Sequence, residues 1–201
     1  MNMKKKLVAG GLVACMGATL IGGATLAYFT DKDEADNVFT VGNVGIDLTE
    51  PNWDATGAND AKEAYPGEPL AKDPTVTNTG ANPCVVRIKV EWDEKIDPME
   101  YRTDYVTGKL GDNWVDGGDG YFYYTKALNK GDKTDALFDQ IVVPTTLTNG
   151  DAATEYNVKV TAYAAQAQGI FTSYKDMEDG ISAEELPTVQ AFFNTAFAPA
   201  P

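Results

Sequence analysis

The chain has 201 residues, with 16 basic and 30 acidic side chains, no histidine, two cysteines and a net charge of −14. Without imidazole there can be no serine–histidine or cysteine–histidine nucleophile pair and no histidine zinc site. The acidic balance excludes binding to a phosphate backbone, which needs clustered Lys and Arg, so no nucleic-acid partner is expected. The length suits one domain, and 43% hydrophobic residues can fill a packed core.

The first element is a leader. Lys4, Lys5 and Lys6 form a positive start, and residues 7–26 follow without a charge. Thr25 and Ala27 then supply the small residues of a cleavage site, which predicts a cut between Ala27 and Tyr28 and a signal peptide over 1–27. The apolar run is long enough for a retained anchor. Its glycines, Gly10, Gly11, Gly17, Gly22 and Gly23, make it a poor spanning helix, so no stable membrane span is expected after cleavage. Leu12-Val13-Ala14-Cys15 has the form of a lipoprotein box, but the apolar run continues well past Cys15, which favours an ordinary leader cysteine. Loss of three lysines with the leader takes the charge from −14 to −17 and leaves Cys84 as the sole cysteine. An intrachain disulfide is then impossible, and Cys84 is expected as a small buried hydrophobe.

Period-two alternation dominates the rest. Val44, Ile46 and Leu48 alternate with Gly45 and Asp47. Residues 73–78 read as a short strand. In 83–92, Cys84, Val86, Ile88, Val90 and Trp92 share one face, and Val85, Arg87, Lys89 and Glu91 share the other. That pattern predicts an antiparallel strand with one buried and one wet face. Residues 93–119 are poorly patterned and suggest an insertion with a short helix over 97–105. Residues 121–125 and 137–143 read as short strands, and 155–165 as a long alternating one. Turn signals separate them: Tyr65-Pro66-Gly67-Glu68, Asn78-Thr79-Gly80, 116–120, Lys130-Gly131-Asp132 and Asn149-Gly150-Asp151. Six or more punctuated strands predict an all-β fold, a jelly-roll-like antiparallel β-sandwich over 28–168. The tail, 169–201, carries a short C-terminal helix. Ser182 and Glu185 resemble a capping box, Pro187 marks the helix start, and Val189, Phe192, Phe193 and Phe197 supply an apolar face.

Few residues carry candidate chemistry. Ser173 and Ser182 are the only serines and have no base to activate them. Paired carboxylates abound, but sequence places no two of them about a substrate. Asp31, Asp33, Glu34 and Asp36, and separately Asp112, Asp116 and Asp119, offer the hard oxygens that suit calcium, without the spacing of a twelve-residue calcium loop. Solvated surface is the plainer reading of both. No catalytic, cofactor or metal residue is assigned; the site residues are those of the leader cut, Ala27 and Tyr28.

Several stretches carry a resemblance. They are Gly22 through Asp31, then Asn37-Val38-Phe39-Thr40-Val41-Gly42-Asn43-Val44 with Ile46-Asp47-Leu48. Further on come Pro66-Gly67, Val76-Thr77-Asn78-Thr79-Gly80, Cys84-Val85-Val86-Arg87, Gly120-Tyr121-Phe122-Tyr123-Tyr124 and Val158-Lys159-Val160-Thr161-Ala162. Together they resemble the TasA/camelysin (CalY) family of Gram-positive bacteria, whose leaders are cut by a dedicated SipW-type signal peptidase. The resemblance implies a secreted jelly-roll subunit of biofilm-matrix or cell-surface fibres, with self-association into filaments and a fibre anchor protein as partner. It implies that the freed N-terminal segment, within 28–48, completes the sheet of the next subunit. It also carries a metalloprotease label, for which a chain without histidine offers no zinc motif. The expected function is therefore structural and non-enzymatic, without cofactors. The alternatives are a non-polymerising surface module for calcium or glycan, or a camelysin-like peptidase.

Overall fold

The computed structural model describes residues 42–96, 99–152, 154–168, 170 and 180–198. The predicted leader and its cut at Ala27 and Tyr28 lie outside these residues, as do Cys15, Asp31, Asp33, Glu34, Asp36 and Ser173.

The strands are β1 (Ile46–Thr49), β2 (Pro69–Ala71), β3 (Thr75–Asn78), β4 (Cys84–Trp92), β5 (Glu100–Thr103), β6 (Val106–Thr107), β7 (Trp114–Asp116), β8 (Phe122–Tyr124), β9 (Gln140–Val142) and β10 (Val158–Gln166). The longest helix among the described residues, α1, runs over Leu186–Ala196. Every strand pairing is antiparallel. One four-stranded sheet has the order β10-β4-β8-β7, a second β2-β9-β5-β6, and β1 pairs with β3. The chain is thus an all-β sandwich with a short C-terminal helix, as the alternation predicts.

The main core lies between the sheets. Cys84, Val86 and Ile88 on β4 meet Val76, Leu137, Phe138 and Ile141, all essentially without solvent contact. The Tyr101 ring stacks on Phe138 at 5.6 Å and meets Phe122 edge-on at 6.1 Å. Burying side chains of this size gains roughly 1.5–3 kcal/mol each, which makes this core the dominant stabilising term. Burial pushes the Cys84 thiol up to about 12, so it sits there as an inert apolar group. Asn78 is fully buried but satisfied: its amide donates to the Asn82 and Leu128 carbonyls and its oxygen accepts from Gly80 N–H. Gly80 itself abuts the backbone of residues 43–45; a Cβ there would lie 2.5 Å from the Gly45 nitrogen. The predicted Asn-Thr-Gly turn is therefore what docks β1 beside β3.

Several elements depart from the expected pattern. The described part of the expected helix, 99–105, is not helical: β5 occupies Glu100–Thr103, with Met99 and Thr103 buried and Glu100 exposed. The alternation is present but too short to stand out against helix-compatible residues. Residues 53–63 instead form consecutive helical turns, Trp53–Gly57, Ala58–Asp60 and Ala61–Glu63. Their start is held by the Asp73 carboxylate, which accepts from the Asn52 and Trp53 amides. Only Gln140–Val142 of 137–143 is strand, because Leu137 and Phe138 turn inward to plug the core. The expected wet face of β4 is wrong for its first half: Val85 and Arg87 are buried beneath α1.

The β5–β6 hairpin turns through Asp104 (φ 51°) and Tyr105 (φ 63°). A two-residue turn with both central residues left-handed matches the sheet twist but suits Asn and Gly, not a bulky aromatic. Tyr105 is 85% exposed, so packing gives little back. Tyr105→Asn should raise unfolding stability by about 1 kcal/mol, read from the denaturant midpoint at unchanged slope. A lower midpoint would show that the tyrosine ring compensates its own strain.

Candidate functional site

The described surface offers one structural opportunity that the sequence made visible only in part, the free edge of β10. All nine residues of β10 pair with β4, from Val158↔Trp92 to Gln166↔Cys84, in unbroken register. Among the described residues, no backbone hydrogen bond joins β10 to any other strand. The strand contains no proline, no glycine and no bulge, the devices that normally blunt an edge; Lys159 is its one charge. Cα atoms of β1 come within 8 Å of β10, yet the two do not pair. An antiparallel pair leaves alternate N–H and C=O groups on the outer side of each edge strand. Among the described residues the outer side of β10 therefore presents a long row of backbone groups without a strand partner, able to accept another strand.

Behind that edge, the outer face of the same sheet is built around Arg87. The side chain is 2% exposed and has no carboxylate partner among the described residues. Its guanidinium lies 3.8 Å from the Tyr121 ring centre, 4.8 Å from Phe193, 5.3 Å from Tyr163 and 5.9 Å from Phe197. One terminal nitrogen donates to the Tyr123 hydroxyl at 3.2 Å and to the Asn194 oxygen at 3.0 Å, while Nε has no hydrogen-bond partner. Ring faces carry negative potential, so four of them stabilise a cation that water cannot reach. The Tyr123 hydroxyl passes the interaction on by donating to Asp119 at 2.8 Å. Three of the contacts, Phe193, Asn194 and Phe197, come from α1 or its C-terminal end. Gln190 adds a bond to the Gly117 carbonyl at 2.8 Å. A side chain at Gly117 would strike the Tyr123 ring at 2.5 Å.

The sequence-predicted tail devices divide. Ser182 and Glu185 do bond reciprocally, with Ser182 N–H and Oγ–H donating to the Glu185 carboxylate and Glu185 N–H donating to Ser182 Oγ. They close the turn just before α1, which starts at Leu186 with Pro187 in its first turn. Val189 and Phe193 are buried, Phe192 is half-buried and Phe197 is 43% exposed. Of the candidate calcium acids, the described ones, Asp112, Asp116 and Asp119, do not converge. Asp116 accepts from Gly118 N–H, and Asp119 accepts from Tyr121 N–H and Tyr123. Among the described residues no three Asp, Glu or Cys side chains come together as a cation would require. Sequence reasoning missed Arg87. The available signal was an arginine next to Val85 on one strand face, combined with a phenylalanine-rich helix that needed a surface to bury itself on.

A family model described as camelysin metallo-endopeptidase matches residues 2–113. A Bacillus subtilis (strain 168) protein named major biofilm matrix component is 36% identical over 81 residues, covering 40% of this chain and 30% of that protein. The matched stretch thus spans less than a third of that relative's length. The metal implied by the family description does not fit the donors present. The chain has no histidine, Asp116, Asp119 and Asp135 are engaged by a turn amide and tyrosine hydroxyls, and among the described residues no three potential metal ligands come together.

Two outcomes follow from the cage. Arg87→Ala should cost about 3 kcal/mol, whereas Arg87→Met, which fills the same space without a charge, should cost less than about 1.5 kcal/mol. Arg87→Lys keeps the charge but loses the planar stack and should be worse than Met. Chemical denaturation of the three variants gives this order; Lys outranking Met would show that charge, not shape, holds the cage. Burial also pushes the Tyr123 and Tyr124 phenols from 10 up to about 12. Because the unfolded chain ionises first, at Cys84 from about pH 9 and at the two phenols from about pH 10, stability should fall as pH rises from about 9 towards 12. Tyr123→Phe should shallow that fall in denaturation midpoints taken between pH 8 and 12.

Proposed function

The chain belongs to the TasA/camelysin family, and on that footing we propose that it is a secreted structural subunit of extracellular biofilm-matrix or cell-surface fibres rather than a peptidase. The observation that carries this reading is the β10 edge: nine residues in unbroken register on one side and without a strand partner among the described residues on the other. Such an edge is a template for strand addition, and head-to-tail addition that does not close into a ring gives filaments.

The donor in this reading is the N-terminal segment of a second copy. A dedicated signal peptidase cuts between Ala27 and Tyr28, and residues from Tyr28 onward become free to pair. The stretch contains Tyr28, Phe29, Val38, Phe39 and Val41, enough apolar and β-branched side chains to form a strand. Ile46–Thr49 is already committed to β3 of its own chain, so the donor is drawn from the residues before Gly42. The domain plan is a leader over 1–27, the sandwich over 28–168 and a tail over 169–201. An anchor protein attaches the fibre to the cell. The name of the Bacillus subtilis relative supports the matrix setting, and the lack of a convergent donor set among the described residues supports a non-catalytic role.

Deleting residues 28–37 should leave a folded monomer, with unchanged circular dichroism and thermal transition, but abolish filaments in electron micrographs of the purified protein. Filaments that persist after the deletion would reject the N-terminal donor.

A further inference from the structure

β10 is supported unequally on its two faces. Its inner side chains, Val158, Val160, Ala162 and Ala164, rest on the main core along the whole strand. Its outer face is covered only towards the C-terminal half, where Tyr163 and Ala165 join the cluster beneath α1; Lys159 stands in solvent. The link from helix to strand is aromatic. Phe197 meets Tyr163 edge-on at 5.2 Å and stacks on Phe193 at 6.0 Å, and Tyr163 meets Tyr121 edge-on at 5.8 Å. α1 is fixed to the rest of the sheet by Gln190 on Gly117, by Asn194 on Arg87 and by the Phe193 ring against Tyr123 at 5.9 Å.

From this arrangement we infer that α1 is a clasp for the β10 edge, and that Arg87 and Phe197 are positioning residues that keep the edge rigid for strand addition. An edge strand is hydrogen-bonded on one side only and frays before the strands inside the sheet. β10 is especially exposed to fraying because three of its nine residues are alanines, which contribute little buried area. Tyr163 is its one large outer side chain, and α1 and Arg87 hold that ring in place. A strand that adds to an already ordered edge does not have to order the acceptor as well, so a held edge accepts a partner more readily than a frayed one. The structural half of the inference stands on these contacts alone; its consequence for assembly rests on the strand-addition reading proposed above.

Phe197 allows the test, because it is 43% exposed and touches β10 without filling the core. Amide hydrogen exchange followed by mass spectrometry, on the leader-free chain that begins at Tyr28, should show residues 158–166 exchanging about twofold to tenfold faster in Phe197→Ala than in the parent. The β2-β9-β5-β6 sheet should exchange as before, and the global denaturation midpoint should hardly move. Filament elongation should slow by a similar factor, and Phe197→Tyr, which keeps the ring, should restore both. A second variant lacking residues 186–201 should exaggerate the local effect; if it does not fold, Phe197→Ala decides. Unchanged exchange across 158–166 in Phe197→Ala would overturn the clasp, and so would faster exchange with unchanged or faster elongation. If the parent itself forms no filaments, the strand-addition reading fails while the exchange data still decide the clasp.

Discussion

The ladder between β4 and β10 organises the rest of the molecule. Nine antiparallel pairs without a bulge fix the face on which every side chain of both strands lies. One face, led by Cys84, Val86 and Ile88, closes the core against the second sheet and β3. The other face, led by Val85 and Arg87, is where α1 docks. A slip of one residue would move Arg87 into the core and Val86 beneath the helix, and both layers would be lost together. The same ladder also leaves β10 as the last strand of its sheet, so the element that sets the core also presents the free edge.

Arg87 shows how a charge can be buried without an ion pair. Removing a guanidinium from water is costly, and the usual compensation is a carboxylate. Here four aromatic rings and two neutral oxygens take that role. Arginine suits the position because it is planar, stacks on rings and is less strongly hydrated than lysine. Burial raises the Tyr123 phenol pKa first, and donation to Asp119 adds to the rise, whereas the hydrogen bond and charge from Arg87 act in the opposite direction. The helix is thereby tied to the sheet by contacts that outside salt screens weakly, since they lie away from solvent.

On the proposed reading the protein works through its backbone edges. The family description names a metallo-endopeptidase, and the described residues bring no three potential metal-ligating side chains together. What they do bring together is a long edge, a core that holds it from within and a helix that holds it from outside. On the proposed reading the chemistry of assembly is hydrogen bonding between main chains, which needs order in the acceptor more than any particular side chain.

The sequence by itself determined the all-β class, because alternation at 84–92 and 158–166 and turn residues such as Asn78-Thr79-Gly80 act locally. It also determined what the chain lacks, since imidazole is either present or not. It marked the C-terminal helix through Pro187 and the phenylalanine spacing. Short strands such as Glu100–Thr103 stayed hidden because three or four residues carry too little periodicity to outweigh propensity. Only the tertiary structure decided that Arg87 is buried, because the covering side chains come from residues as distant in sequence as Tyr121, Tyr163, Phe193 and Phe197, and that β10 is an edge. Alternation tells which side of a strand is apolar but not which strands lie beside it, so edge status and cage alike depend on long-range placement that no local pattern encodes.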